Sequence, residues 1–262
     1  MTSRRDYTGQ QAVNMVIARV RGDTSHPEAF AFNELLTRPN RAALGNTLAQ
    51  QYDDSQNDWG KILRRGAGSD NRAKSAVEDN DTGIEAAVNP PSGIHPLPSR
   101  PNGAPDVIDA NFIRSIMYLE NYYNPGGTNR TVLPMNVNYT MWHEVLAHHG
   151  LTLEDMDNPG KNIRAASIIL HYIDASIPAS ISDPSERRML MASMYGSTEH
   201  TLEAGRPIMY GGKVQQIYAE SAFQRDERSQ LASLETEPRL MELIPPSLRL
   251  PAMPSRNETF LG

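Results

Sequence analysis

The sequence predicts an all-α or strongly α-dominated fold, and three observations carry that expectation. Apolar residues recur at three- and four-residue spacing in several stretches. No run shows the two-residue alternation of a half-buried strand. Proline, glycine and asparagine fall where such helices would have to stop.

At 262 residues the chain is long enough to bury a core, but a hydrophobic content of 39% demands a large share of polar surface or loop. No apolar run reaches the length of a bilayer span. The opening Met1-Thr2-Ser3-Arg4-Arg5-Asp6 leads into a mixed helical pattern rather than an apolar segment, so no signal peptide is expected. Cysteine is absent, which excludes disulfides and thiolate chemistry. A net charge of -6 argues against non-specific nucleic-acid binding, because phosphate counterions would have no basic stripe to replace them.

Taken in order, the first helix is expected from about Thr8 to Arg21, with Val13, Val16, Ile17 and Val20 on one face and Gly22 as its stop. A second pattern opens at Pro27 and runs through Phe30, Phe32, Leu35 and Leu36. A third spans roughly Arg41 to Tyr52, and Trp59, Ile62 and Leu63 suggest a further turn. Residues 1–65 thus read as an N-terminal helical layer. Residues 66–105, rich in glycine, aspartate, asparagine and proline, read as a polar linker or loop that cannot repay its conformational entropy by burial. Dense helical periodicity returns over 106–225. Residues 226–262, with Pro238, Pro245, Pro246, Pro251 and Pro254, read as an extended tail.

The chemistry is concentrated after Asp106. Asp106 or Asp109 is placed to cap a helix whose apolar stripe is Phe112, Ile113, Ile116, Met117 and Leu119. Glu120 stands four residues from Ile116 and three from Met117, so it extends the buried face. The helix has to end soon after it, at Asn124-Pro125-Gly126-Gly127. A carboxyl there lies at the negative end of the helix dipole, beside Tyr118, Tyr122 and Tyr123. The dipole and desolvation both favour the protonated acid, which is what a general acid requires.

Further along come Leu133-Pro134-Met135-Asn136-Val137-Asn138, Trp142, then Met156-Asp157-Asn158-Pro159-Gly160-Lys161-Asn162-Ile163. Leu170, Met191-Ala192-Ser193-Met194-Tyr195-Gly196 and Tyr218 follow. In order and spacing, from about Asp106 to Glu220, these resemble the soluble lytic transglycosylases and goose-type lysozymes. Against that pattern, Asn121 stands for a serine, Asn136 for a glutamine and Gly196 for an asparagine. The resemblance implies a lysozyme-like helical domain in which Glu120 protonates the oxygen linking N-acetylmuramic acid to N-acetylglucosamine. It implies that Met135, Asn136 and Val137 form a wall of the glycan groove, with Asn136 on an acetamido or hydroxyl group. It places Tyr195 near Glu120 and Tyr218 at the family's late tyrosine. A transglycosylase needs no second carboxylate, whereas a hydrolase does; Asp157, Asp155 and Glu144 are the acids considered for that role, Asp157 also as a substrate-binding residue.

Two metal readings fail on spacing. In His143-Glu144-Val145-Leu146-Ala147-His148-His149 the residue four after His143 is alanine, and His148 lies about 140° further round the helix. His143, His148 and His149 then read as helix-surface or groove residues. Asp79-Asn80-Asp81-Thr82-Gly83 lacks the glycine and glutamate positions of a calcium loop. No metal and no cofactor are expected. The expected activity is cleavage of peptidoglycan glycan strands by a secreted antibacterial effector of the kind delivered by type VI secretion systems. That activity implies an immunity protein that occludes the groove. A phage or conjugation-type lysin and a non-catalytic protein with a degenerate lysozyme-like fold stand as the alternatives.

Overall fold

The computed structural model describes residues 8–23, 25, 32, 36, 67–88, 95–123 and 133–219. All of them belong to the unit Met1–Glu220. The expected third helix, the turn at Trp59 and the tail at 226–262 lie outside the described residues. Of the second expected helix, Phe32 and Leu36 are described, and both are helical and buried. The fold is helical, as the periodicity predicts, with no strand among the described residues.

Helix α1 (Gly9–Val20) begins in a capping box, in which Thr8 and Gln11 satisfy each other's backbone N–H groups. Its face Ala12, Val13, Met15, Val16 and Ile17 is buried against three later helices, α5, α6 and α8. These are α5 (Tyr139–His148), α6 (Pro159–Ser176) and α8 (Thr198–Ala204). Helix α1 is therefore an integral wall of the same body.

Residues 66–105 depart from the linker expectation. They contain α2 (Ala67–Asp79) and α3 (Asp81–Val88), joined at Asn80. Their glycine, aspartate, asparagine and serine residues disfavour helix, and tertiary packing offsets that. Ala73 and Val77 of α2 are buried where it packs on α4 (Ala110–Tyr123), and Ile84 and Ala87 of α3 are buried where it packs on α6 and α4. Arg114 of α4 clamps α3, its guanidinium donating to Asp81 at 2.6 Å and also to Glu85. Asp81 is thus committed to an arginine rather than to a calcium loop. Ser167 of α6 donates to the Ala87 carbonyl at 2.6 Å, satisfying an orphan acceptor at the end of α3.

Helix α6 is the central element, touched by α1, α3, α5 and α7 (Pro184–Gly196). Asn158 caps it and Pro159 takes its first turn, where a missing N–H costs nothing. A short 3₁₀ turn (Glu154–Asp157) precedes it. Near its far end, Asp174 meets Arg187 of α7 at 2.6 Å; Arg187 is 0% exposed and also donates to the carbonyls of Asp174, Pro178 and Ile181. That saturation is what lets a buried guanidinium exist. The last described helix, α9 (Met209–Ala219), packs on α7 and α4. Among the described residues no helix is long and apolar enough to cross a membrane.

Candidate active site

Glu120 lies on the penultimate turn of α4 and is 6% exposed. Its carboxyl is gripped from two sides. The Tyr210 hydroxyl of α9 donates to Oε1 at 2.5 Å, and the Asn136 side chain donates from Nδ2 to Oε2 at 2.7 Å. Burial, followed by the negative charge of Glu120, raises the Tyr210 phenol well above its ordinary pKa, and the same two causes raise Tyr195. Both phenols therefore remain protonated donors across the physiological range.

Asn136 reaches Glu120 because the segment before α5 is fastened at several points. Its backbone is left-handed, with φ of 56°, a conformation that asparagine tolerates better than most side chains. The preceding peptide, Leu133–Pro134, is cis. Asn121, next to Glu120, donates at 2.7 Å to the Pro134 carbonyl and at 2.7 Å to that of Met117. Asn162 of α6 accepts from the Met135 N–H at 3.0 Å, and Tyr195 of α7 donates to the Met135 carbonyl at 2.7 Å. Asn136 Oδ1 is buried and takes no hydrogen bond. A buried acceptor without a partner is costly unless a ligand or water supplies one.

Glu120 faces a cleft of about 250 Å³. Val137, Met141, Trp142 and Ile169 give it apolar lining; Asn136, Asn138, Tyr195, Ser197, Thr198 and Glu199 give it polar groups. No family model, curated protein or solved structure matches this chain.

Of the residues singled out in the sequence, the structure brings Glu120, Asn136, Val137 and Tyr195 together in this cleft. Met135 does not line it. Its side chain is fully buried and its backbone supports the wall instead of forming it. Asp157 is exposed on the 3₁₀ turn and does not line the cleft. Asp155 pairs with Lys161 at 2.5 Å and Glu144 with Arg21 at 2.6 Å, and neither acid lines the cleft. Tyr218 donates to Asp109 at 2.7 Å, while Asp109 caps α4 through the Phe112 N–H. His149 is buried, contrary to the surface reading, beside His148 and His95, whose rings stack at 3.8 Å. The C-terminal carbonyls of α4 are met by Arg72 of α2, which donates to those of Asn121 and Tyr122. That cation offsets the dipole at the end of α4.

Tyr210 and Glu199 were not singled out in the sequence. The glycine at 196 is the signal for the first. A Cβ there would lie 2.8 Å from two atoms of the Tyr210 ring, so the missing side chain is what makes room for the tyrosine.

Proposed function

We propose that this protein cleaves the β-1,4 bond between N-acetylmuramic acid and N-acetylglucosamine in peptidoglycan, with Glu120 as general acid. One observation carries the reading. A carboxyl group, buried and oriented by two side-chain donors, faces a cleft beside an unpartnered acetamide oxygen on Asn136. Desolvation favours the neutral, proton-donating form of a carboxyl group. Fixing its direction keeps the proton aimed at one atom of a bound strand. The Asn136 oxygen is buried and lacks a donor, so the N–H of a glycan acetamido group would satisfy it where the entering strand uncovers it. Val137, Trp142 and Ile169 offer an apolar surface for sugar faces. Asn162 and Tyr195 hold the Met135 backbone beside Asn136 and Val137, which supports that reading of the cleft wall.

The acid is tested by adding wild type and Glu120→Gln to purified sacculi and following solubilised muropeptides. Loss of about 10²- to 10⁴-fold in rate is expected for the variant, with its unfolding midpoint retained. Equal release by the two proteins, or none by either, would falsify the catalytic role.

We further propose that the setting is antibacterial: delivery as a secreted effector into the periplasm of a target cell, with an immunity protein filling the cleft in the producer. A cleft of about 250 Å³ is closed by one or two inserted side chains. Expression directed to the periplasm is expected to lyse cells, and co-expression of the neighbouring open reading frame to protect them. Healthy growth without any partner counts against that setting while leaving the chemistry open to the sacculus assay.

A further inference from the structure

The cleft holds a second acid that nothing above has used. Among its lining residues, two carry carboxyl groups: Glu120 on α4 and Glu199 in the first turn of α8. Their surroundings differ. Glu120 is tied by Tyr210 and Asn136, whereas Glu199 is half-buried and its carboxyl takes no hydrogen bond and no ion pair from any described residue. A Cβ built on Gly9 of α1 would lie 2.5 Å from Glu199 Oε2 and 2.7 Å from the end of the Met141 side chain. Gly9, having no side chain, leaves that carboxyl its space. Its hydrogen-bonding capacity is left for what enters the cleft.

We infer that Glu199 is the general base that activates water in this cleft, making the reaction a hydrolysis. The inference rests on the reading of Glu120 as the acid. Glu120 gives its proton to the glycosidic oxygen as the bond from that oxygen to the anomeric carbon breaks. A water molecule, hydrogen-bonded to Glu199, forms the new bond to that carbon and passes its proton to the Glu199 carboxylate. One bond is exchanged for another, one water is consumed, and a proton returns from Glu199 to Glu120 through solvent. The strand ends in a free reducing sugar. Without a base for water, the muramoyl 6-hydroxyl would close the ring and leave an anhydro end. About 250 Å³ corresponds to roughly eight water volumes, so a nucleophilic water fits in the cleft.

The test digests sacculi with wild type, Glu199→Gln, Glu199→Ala and Glu120→Gln, and reads the released ends by mass spectrometry in ¹⁸O-labelled water. Wild type is expected to give reducing ends carrying one labelled oxygen. Glu199→Gln is expected to slow their release by about 100-fold or more while still sedimenting with sacculi as wild type does. Azide, which needs no base, is expected to restore cleavage by Glu199→Ala and to appear in the product as a glycosyl azide; a variant that has merely lost its fold gains nothing from azide. Anhydro ends from wild type, or reducing ends at an unchanged rate from Glu199→Gln, would overturn the role of Glu199 and leave Glu120 as the acid. If wild type and Glu120→Gln alike release nothing, the acid itself is refuted, and Glu199 with it.

Discussion

One methyl group at position 196 is enough to crowd the ring that hydrogen-bonds Glu120. A Cβ built there meets the Tyr210 ring at 2.8 Å, and that ring carries the hydroxyl bonded to Glu120. Gly196→Ala is therefore expected to displace Tyr210 and to lower the rate of sacculus digestion by about 10- to 100-fold, the worth of a hydrogen bond to a charged group. Tyr210→Phe, which keeps the ring and removes the hydroxyl, is expected to match it. An unaltered rate in both variants would separate Tyr210 from the chemistry. At this scale the sequence was informative where the signal was local. Glu120 is placed on a buried face by its spacing to Ile116 and Met117, whereas Asn136 and Tyr195 are reached only through the family resemblance of the segments that hold them. Tyr210 lies ninety positions from Glu120, and only folding reveals that partner. Met135 was misread because an apolar residue beside a functional asparagine can face either the groove or the core.

Helix α9 owes its position to a glycine. At Gly211, a Cβ would lie 2.0 Å from the Met189 carbonyl oxygen and 2.1 Å from the Ser193 hydroxyl, so the backbones of α7 and α9 are in direct contact. Ser193 completes that contact by accepting from the Ile208 N–H at 2.9 Å. Gly211→Ala is expected to cost about 3 kcal/mol or more, because a backbone carbonyl cannot swing aside as a side chain can. Gly212→Ala meets nothing within 4 Å and is expected to stabilise slightly, by about 0.5 kcal/mol. Denaturant midpoints of the two variants check the contrast, and similar midpoints would mean that α7 and α9 are not so closely apposed. Helices with strong caps and long apolar faces, such as α1 and α4, are legible in the sequence. Helices α2 and α3 were hidden by their glycine, aspartate and asparagine content. The faint signal was Ala73 and Val77 four apart, then Ile84 and Ala87 three apart, too sparse to outweigh composition. Arg72 on one of them and the Asp81–Arg114 pair on the other show what fixes them, and such long-range partners have no local signature.

For the molecule as a whole, acid is expected to act through His149. Burial, then the neighbouring His148, His95 and Arg164, lowers its pKa from 6.5 to about 4. In the unfolded chain the imidazole binds its proton near pH 6.5, while in the fold it resists until about pH 4. Between those values the unfolded state holds more protons, so stability present above pH 6.5 is lost as the pH falls towards 4. The loss is expected to be on the order of 2 kcal/mol. Urea midpoints from pH 7.5 to 4, compared with those of His149→Phe, measure it; identical slopes for the two proteins would assign acid sensitivity elsewhere. The cleft, too, belongs to the entire described body. Its acid comes from α4, its amide from the segment before α5, its support from α6 and α7, and its phenol from α9. Because that phenol is the last of these to be translated, a ribosome must have made residue 210 before the carboxyl made ninety residues earlier acquires its full set of partners. Completion of the cleft is therefore deferred by the direction of synthesis, and a nascent fragment ending at Gly205 would lack the donor to Glu120 Oε1 however well its earlier helices had folded.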